Sequence, residues 1–226
     1  MIVSPAFADK HYALLGLARS GLATLDALVA SGAKVTAWDG QPEPRARAEG
    51  KADIADLLEA DLSQFDAIIL SPGVPLNTSP IAERACAANL PIIGDVELFA
   101  QARAALPPHK VVGITGTNGK STTTALVAHI LKTAGRPSLM AGNIGLPILS
   151  RDPLEANETG EGVYVLELSS YQIDLTENLA CDIAVLLNIT PDHLDRYENF
   201  EAYAASKARL FAMQHGKGEA VIGIGD

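Results

Sequence analysis

Short apolar runs alternate with segments of helical periodicity along the whole chain. In residues 20–31, apolar side chains recur at helical spacing and predict a helix that buries Leu22, Leu25, Leu28 and Val29 on one face. Further helices are predicted at residues 79–89, 96–106, 121–135 and 200–214. Strands are predicted at residues 12–17, 33–39, 66–71, 90–95, 111–116, 162–170, 181–190 and 218–225. Strands that alternate with helices are typical of right-handed βαβ units, so the pattern predicts an α/β fold with parallel sheets.

A proline-containing segment divides this alternating pattern in two. ALPPHK, residues 105–110, interrupts the periodicity and is interpreted as a linker between residues 1–104 and residues 111–226. The second half ends on the predicted strand 218–225, without the covering helix that usually follows a parallel strand. We therefore expect a fragment whose second domain is incomplete.

The composition is that of an ordinary globular protein. The 226 residues are 48% hydrophobic and 19% charged, enough for one large domain or two modest ones. The net charge of −10 argues against a general nucleic-acid binder, which would neutralise phosphates with lysine and arginine. Cys86 and Cys181 lie far apart without metal-type spacing, so we expect two buried thiols in a reducing compartment.

Neither a secretion signal nor a membrane segment is apparent in the sequence. The N-terminus lacks a basic stretch followed by a long apolar core, and no apolar run approaches about eighteen residues. We therefore expect a cytoplasmic protein without membrane contacts. Nothing in the sequence suggests an obligate interface, so we expect a monomer.

A glycine-rich loop, GITGTNGKSTTT at residues 113–124, separates a predicted strand from a predicted helix. The strict phosphate-loop pattern requires glycine at position 114, where this chain has isoleucine, although glycines stand at positions 113, 116 and 119. Glycines nonetheless let backbone N–H groups turn inward, and a helix N-terminus would point at the anion. Lys120 would supply a positive charge and Ser121 a hydroxyl for magnesium. The alternative is a glycine-rich turn with an exposed lysine.

A second loop of this kind, GLARSG at residues 16–21, follows the first predicted strand. With Asp39 at the end of the next strand, it approximates a dinucleotide-binding fingerprint. Ala18, however, replaces the middle glycine where pyrophosphate must approach. The residues leave two interpretations open: a nucleotide diphosphate bound in a different way, or a structural turn between strand and helix.

Candidate metal ligands lie in the second half of the chain. Glu167 lies in an apolar strand, where a carboxylate is costly unless it is paired, bound to metal or facing solvent at the strand end. The loop after another strand carries five polar residues: Asn188, Asp192, His193, Asp195 and Arg196. This group lacks zinc-type spacing, and its hard oxygen atoms suit magnesium better.

Two further residues have no clear role from their position alone. Lys207 lies on the next predicted helix, where an ordinary lysine with a solvated amine is the simpler interpretation. Asn143 lies in the AGNIGLP loop and could contact a substrate carboxylate or phosphate, or simply form a turn.

Together these segments resemble the Mur ligase family. The similarity extends from Tyr12 to the C-terminus and is carried by TGTNGKSTTT, GNIGLP, LELSSYQ, NITPDHLDRY, SKARL, LSPGVP and GDVELF. The segment TGTNGK is shared with folylpolyglutamate synthases, whereas ELSSYQ, GDVELF and DHLDRY are similar to the D-glutamate-adding member. The resemblance implies a Rossmann-like parallel-sheet N-terminal domain, a P-loop α/β central domain and a C-terminal domain, which we expect to be absent here.

The resemblance implies an ATP-dependent, amide-forming reaction of peptidoglycan precursor synthesis. ATP would transfer its γ-phosphate to the carboxylate of UDP-N-acetylmuramoyl-L-alanine, and D-glutamate would attack the resulting acyl phosphate. Two magnesium ions would offset the clustered negative charge. Without a C-terminal domain to close over the acyl phosphate, we expect this chain to bind the UDP substrate but to turn over little.

The resemblance also implies roles for individual residues. ATP would be bound by Gly116, Thr117, Asn118, Gly119, Lys120, Ser121 and Thr122. The UDP substrate would be bound by Gly16, Leu17, Arg19, Ser20, Gly21, Asp39, Ser71, Pro72, Gly73 and Asn143. The metal ligands would be Ser121, Glu167, His193 and a carbamylated Lys207. The catalytic residues would be Lys120, Asn143, His193 and Lys207.

Two other hypotheses remain open, and one local difference affects the leading one. A folate-type glutamate ligase would not be expected to carry a complete UDP-binding domain ahead of its phosphate loop. A non-catalytic nucleotide-binding module would bind ATP or the UDP sugar without turnover. Within the Mur ligase hypothesis, Gly40 and Gln41 depart from the family pattern, so contacts to uracil or diphosphate on that loop would differ.

Overall fold

Each half of the chain builds one parallel, five-stranded sheet. The computed structural model describes residues 1–74, 76, 79–193 and 195–224. One unit comprises Met1–Ala105 together with Leu149–Arg151, and the other comprises the rest of the described chain. Two parallel α/β units confirm the predicted fold class.

The first unit has the strand order β3-β2-β1-β4-β5. Its strands are β1 (His11–Leu15), β2 (Lys34–Trp38), β3 (Asp53–Ile54), β4 (Ala67–Leu70) and β5 (Ile92–Ile93). Its helices are α1 (Arg19–Ala30), α2 (Pro42–Ala48), α3 (Pro80–Ala87) and α4 (Asp95–Ala102). This is the Rossmann-type order, and its direction reverses between β1 and β4. In open α/β sheets, ligands bind outside the strand ends at this reversal.

The second unit has the strand order β10-β9-β6-β8-β7. Its strands are β6 (His109–Thr115), β7 (Ser138–Gly142), β8 (Gly162–Glu167), β9 (Ile183–Leu186) and β10 (Glu219–Ile222). Its helices are α5 (Lys120–Thr133), α6 (Ser170–Asp174) and α7 (Phe200–Ala212). Because β6 lies between β8 and β9, the loop that follows β6 meets the carboxyl ends of both neighbours.

Continuous burial of the central strands explains why the sequence pattern found them. All six residues of β8 and all four residues of β4 are buried. Parallel strands covered on both faces favour near-continuous apolar runs rather than alternation. The elements without such runs were not predicted: β3, β7, α2 and α6.

Local signals exist for the two helices that the periodicity missed. α2, PEPRARA, lacks an apolar stripe, but Pro42 occupies its first turn, where a missing N–H costs nothing. α6 begins with a capping box, in which the Ser169 hydroxyl accepts the Gln172 N–H at 3.2 Å. A Ser-x-x-Gln search would have indicated this helix start.

Two details of the sequence prediction were wrong. Val29 is 38% exposed, because the buried face of α1 is centred on Thr24, Leu25 and Leu28. Cys86 is also exposed, whereas Cys181 is buried as expected. β6 begins at His109, two residues before the predicted strand 111–116.

Some predicted features fall partly outside the described residues. The residues outside the described ranges include Gly225 at the end of the predicted strand 218–225, Pro75 of LSPGVP and Leu194 of NITPDHLDRY. Among the helices that the structure does describe, none combines the length and apolar character required to cross a bilayer.

Gly21 provides a direct test of the close approach between α1 and the loop before it. A Cβ at this position would lie 1.9 Å from the main-chain oxygen of Gly16. Gly21→Ala is expected to lower the free energy of unfolding by about 1–3 kcal/mol, because main-chain atoms must shift. Urea denaturation would measure this loss. A Cβ at Gly40 would meet no heavy atom of the described chain within 4 Å, so Gly40→Ala serves as the control. Equal stability of both variants would contradict the close packing.

Candidate functional site

The loop after β6 has the backbone conformation that the phosphate-loop hypothesis requires. Gly116 has a φ of 153° and Gly119 a φ of 81°, both values that residues with a side chain rarely adopt. Gly119 is the N-cap of α5, whose first residues Lys120 and Ser121 follow at once. The N–H groups of this first turn have no partner within the 14-residue helix, and such a helix end favours an anion.

The turn after β9 holds this loop in place. Asn188 accepts the Asn118 N–H on Oδ1 at 2.9 Å, and its own amide donates to the Asn118 oxygen at 3.1 Å. The Thr117 N–H donates to the Asn188 main-chain oxygen at 3.1 Å. The Thr117 hydroxyl donates to the Thr190 main-chain oxygen and accepts the Thr190 N–H. Thr117 and Asn118 therefore use their main-chain N–H groups to fix the loop, which the sequence motif did not indicate.

Lys120 lies over the loop from which it projects. Its ammonium donates to the main-chain oxygens of Gly116 at 2.9 Å and of Thr117 at 2.8 Å. The side chains of Ser121 and Thr122, by contrast, are exposed at the start of α5. The predicted ATP residues thus form one continuous turn, with a cation at its centre and hydroxyls at its edge.

Glu167 is a buried carboxylate at the end of β8, next to the phosphate loop. It is 1% exposed and lies opposite Ile114 of β6 in the strand register. Oε1 accepts the Asn143 side-chain amide at 2.9 Å, and the Asn143 N–H binds the Glu167 main-chain oxygen. Oε2 is buried and has no hydrogen-bond partner among the described residues. An unsatisfied buried carboxylate oxygen is costly, and a cation beside it would satisfy it.

Lys207 is buried rather than solvated, so the simpler interpretation of its sequence position was wrong. It is 2% exposed, and its amine donates to the Gly116 oxygen at 3.2 Å and to the Thr115 hydroxyl at 3.4 Å. Burial, and then the nearby Lys120 ammonium, lower the pKa of Lys207 from 10.5 to about 8. A larger fraction of neutral amine at physiological pH follows from this shift.

One aromatic ring, that of Tyr203, lies against this lysine, and sequence reasoning did not single it out. The Lys207 nitrogen lies 4.7 Å from the centroid of Tyr203, whose hydroxyl is 3.2 Å from the Thr117 hydroxyl. Tyr203 precedes Lys207 by four residues on α7, a spacing that places both on one helix face. That spacing was the available signal, but nothing in it specified a lysine site.

His193 lies on the exposed side of the same aromatic group. Its ring centroid is 5.0 Å from Tyr171 and 6.1 Å from Tyr203, and its φ of 54° marks a tight turn. Nε2 lies 3.5 Å from the Asp192 carboxylate. Across the described chain, no three His, Cys, Asp or Glu side chains cluster closely enough to hold a metal. A metal at Glu167 would therefore need other ligands, such as the Ser121 hydroxyl and ligand oxygens.

In the first unit, the loops after β1 and β4 meet at the strand-order reversal. Gly16 has a φ of 93°, and a Cβ there would lie 2.8 Å from Cβ of Ser71. The Ser71 N–H donates to the Leu15 oxygen at 3.0 Å, and Pro72 and Gly73 continue the turn. The predicted UDP residues of both loops therefore lie side by side at the strand-order reversal, where folds of this class form a ligand-binding crevice.

Two of the predicted UDP residues have structural roles in this crevice. The Leu17 side chain is fully buried in the core, and its N–H donates to Oδ2 of Asp39 at 2.7 Å. Oδ1 of Asp39 accepts the Gln41 N–H at 2.9 Å. The Asp39 carboxylate thus joins the loops after β1 and β2. Arg19 and Ser20 lie in the first turn of the 12-residue α1, where free N–H groups favour an anion.

The chain is similar to known proteins along its whole length. Residues 114–226 match the model of the Mur ligase middle domain, and residues 10–94 match the Mur ligase MurD-like N-terminal domain. The chain belongs to the Mur ligase family. It is 65% identical to the UDP-N-acetylmuramoylalanine–D-glutamate ligase of Novosphingobium aromaticivorans. That alignment covers the whole of this chain and 50% of that protein. The corresponding ligase of Sphingopyxis alaskensis is 64% identical, and the alignment covers the whole of this chain and 51% of that protein.

This Mur ligase chain spans about half the length of the curated relatives it matches. A solved structure, the UDP-N-acetylmuramate:L-alanyl-gamma-D-glutamyl-meso-diaminopimelate ligase from Neisseria meningitides, aligns with a TM-score of 0.59 at 20% identity. The alignment covers 95% of this chain and 71% of that one. At this identity the likeness establishes the shared α/β fold.

The lowered pKa of Lys207 predicts a pH dependence of stability for this Mur ligase chain. Between about pH 8 and 10.5 the unfolded lysine keeps a proton that the folded one has lost, so the free energy of unfolding rises with pH. Lys207→Met should remove this rise. Urea denaturation in CO₂-free buffers at a series of pH values would measure the free energy of unfolding of wild type, Lys207→Met and the control Lys132→Met, which alters an exposed lysine. Parallel pH profiles of wild type and Lys207→Met would contradict the burial of the amine.

Proposed function

We propose that the chain is the UDP-binding domain (residues 1–104) and central ATP-binding domain (residues 111–226) of a ligase. The whole protein would add D-glutamate to UDP-N-acetylmuramoyl-L-alanine through an acyl phosphate, in peptidoglycan precursor synthesis. The observation that carries the proposal is the unsatisfied buried oxygen of Glu167. This residue ends β8, which pairs directly with β6, the strand that leads into the proposed phosphate-binding turn. Relatives at 65% and 64% identity carry the name of this ligase, which supports the choice of substrates.

The ATP site would act by binding and charge stabilisation. The first-turn N–H groups of α5 would hold the phosphates, and Lys120 would stabilise the transferring γ-phosphoryl group. Asn143 would orient Glu167 through the hydrogen bond that it makes to Oε1. Magnesium, when bound, would neutralise phosphate charge, with Ser121 and Glu167 at one ion, and His193 and a modified Lys207 at the second.

Lys207 would need to lose its positive charge to serve as a metal ligand. Its neutral amine would attack CO₂, forming a carbamate and releasing one proton, which changes a cation into an anion. The lowered pKa supports this step, because only the unprotonated amine is a nucleophile. The Thr115 hydroxyl lies within reach of the same nitrogen.

The first unit would bind the UDP part of the substrate. The N-terminal end of α1, with Arg19, Ser20 and Gly21, would hold the diphosphate, and the turn at residues 71–73 would line the other side of the crevice. Asp39 and Leu17 would act by fixing the loop. The MurD-like match of residues 10–94 favours this substrate over a folate-type ligase.

We propose that these 226 residues bind both nucleotides. The D-glutamate contacts, the contact of Asn143 to the UDP substrate, the monomeric state and the cytoplasmic location stay predictions.

Calorimetry with UDP-N-acetylmuramoyl-L-alanine and with magnesium–ATP would test the proposed function. Wild type should bind both, and Lys120→Met should weaken magnesium–ATP at least about tenfold while leaving the UDP sugar unaffected. Lys132→Met is the matched control at the other end of α5. A folded wild-type chain that binds no UDP sugar would overturn the assignment of substrate.

Glu167→Gln tests whether the orphaned oxygen serves a cation. In wild type, magnesium added to ATP should raise the melting temperature further than ATP with chelator, because a bound ligand stabilises the folded state. Glu167→Gln should show the same melting temperature under both conditions. Glu158→Gln, at an exposed glutamate, should behave as wild type. A magnesium effect of wild-type size in Glu167→Gln would exclude this carboxylate as a ligand.

A further inference from the structure

An arginine–tryptophan pair lies at the carboxyl end of β2, beside the proposed UDP site. The guanidinium carbon of Arg45 lies 4.3 Å from the Trp38 ring centroid. Nη1 of Arg45 also donates to the main-chain oxygen of Asp39 at 2.8 Å. Both side chains are half-buried. Stacking and this hydrogen bond hold the guanidinium plane in one place at the end of the strand.

The acid that usually contacts the nucleoside in this fold is already engaged. In Rossmann-type folds, the carboxylate at the end of the second strand binds ribose hydroxyls. Here the two oxygens of Asp39 accept the N–H groups of Leu17 and Gln41 at 2.7 and 2.9 Å. Gly40, the next residue, has no side chain to contribute. A polar group with further hydrogen-bond donors at this position would add to recognition of the nucleoside.

Arg45 has the chemistry to supply it. A guanidinium carries five N–H donors, and the bond to Asp39 uses one of them. The described residues give this guanidinium a carbonyl and a ring as neighbours rather than a carboxylate. An arginine that is already fixed by stacking loses little further side-chain entropy when it binds a ligand.

We propose that Arg45 is a specificity-determining residue that recognises the uracil ring by donating a hydrogen bond to its O4 carbonyl. Trp38 and the Asp39 oxygen position the guanidinium for this contact. The inference rests on the proposed function, since it assigns the base contact of the same UDP site. Cytosine carries an amino donor where uracil carries O4, so the same arginine would oppose a donor and reject cytidine nucleotides.

Calorimetry with UDP and CDP on the full chain tests this assignment. Wild type should bind UDP more tightly than CDP. Arg45→Ala should lower UDP affinity about tenfold, the value of one hydrogen bond from a charged donor, and change CDP affinity by less than about twofold. Arg47→Ala removes a charge from an exposed position of the same helix and should leave both affinities unchanged.

A second variant and a stability measurement keep the outcomes distinct. Arg45→Gln carries an amide that can present either a donor or an acceptor, so its UDP and CDP affinities should become equal. Thermal unfolding confirms that each variant is folded. If Arg45→Ala lowers the affinities for UDP and CDP equally, Arg45 contacts the phosphates and the inference is overturned. Unchanged UDP affinity in Arg45→Ala would also overturn it. Failure of wild type to bind UDP would instead overturn the proposed function of the first unit.

Discussion

The central position of β6 is the constraint on which the second unit depends. Its pairing with β8 sets Glu167 opposite Ile114, and its pairing with β9 sets Leu186 opposite Thr115. The residues after β9 then hold the phosphate loop through Asn188. Because all three strands are parallel, their carboxyl ends meet at one edge, where groups distant in sequence become neighbours.

Burial gives this edge its chemical character. Glu167 and Lys207 are both almost completely buried, and a charge in such surroundings is costly unless hydrogen bonds or a counter-ion compensate it. Asn143 satisfies one oxygen of Glu167, and a main-chain oxygen together with the Tyr203 ring contacts the Lys207 amine. The remaining cost is visible in the lowered pKa of Lys207. Ionisable side chains buried in this way are typical of binding and catalytic sites.

The first unit uses a carboxylate in a different way. Asp39 connects two loops through main-chain N–H groups, which fixes the crevice at the reversal between β1 and β4. Gly16 and Gly21 make this compact arrangement possible, because a methyl group at either position would overlap a neighbour. Arg45 adds the proposed nucleoside contact from α2, which has no apolar pattern of its own.

The sequence by itself determined the α/β class, most strands and helices, and the family, because burial on both strand faces and glycine-dependent turns leave local patterns. Val29, Cys86 and the start of β6 were misassigned, since the exact edge of a buried face depends on what packs against it. Only the tertiary structure decided that Lys207 is buried beside Gly116, that Glu167 keeps an unsatisfied oxygen, and that Arg45 stacks on Trp38. These facts depend on contacts between residues far apart in the chain or on different elements, and neither periodicity nor motif spacing encodes such contacts.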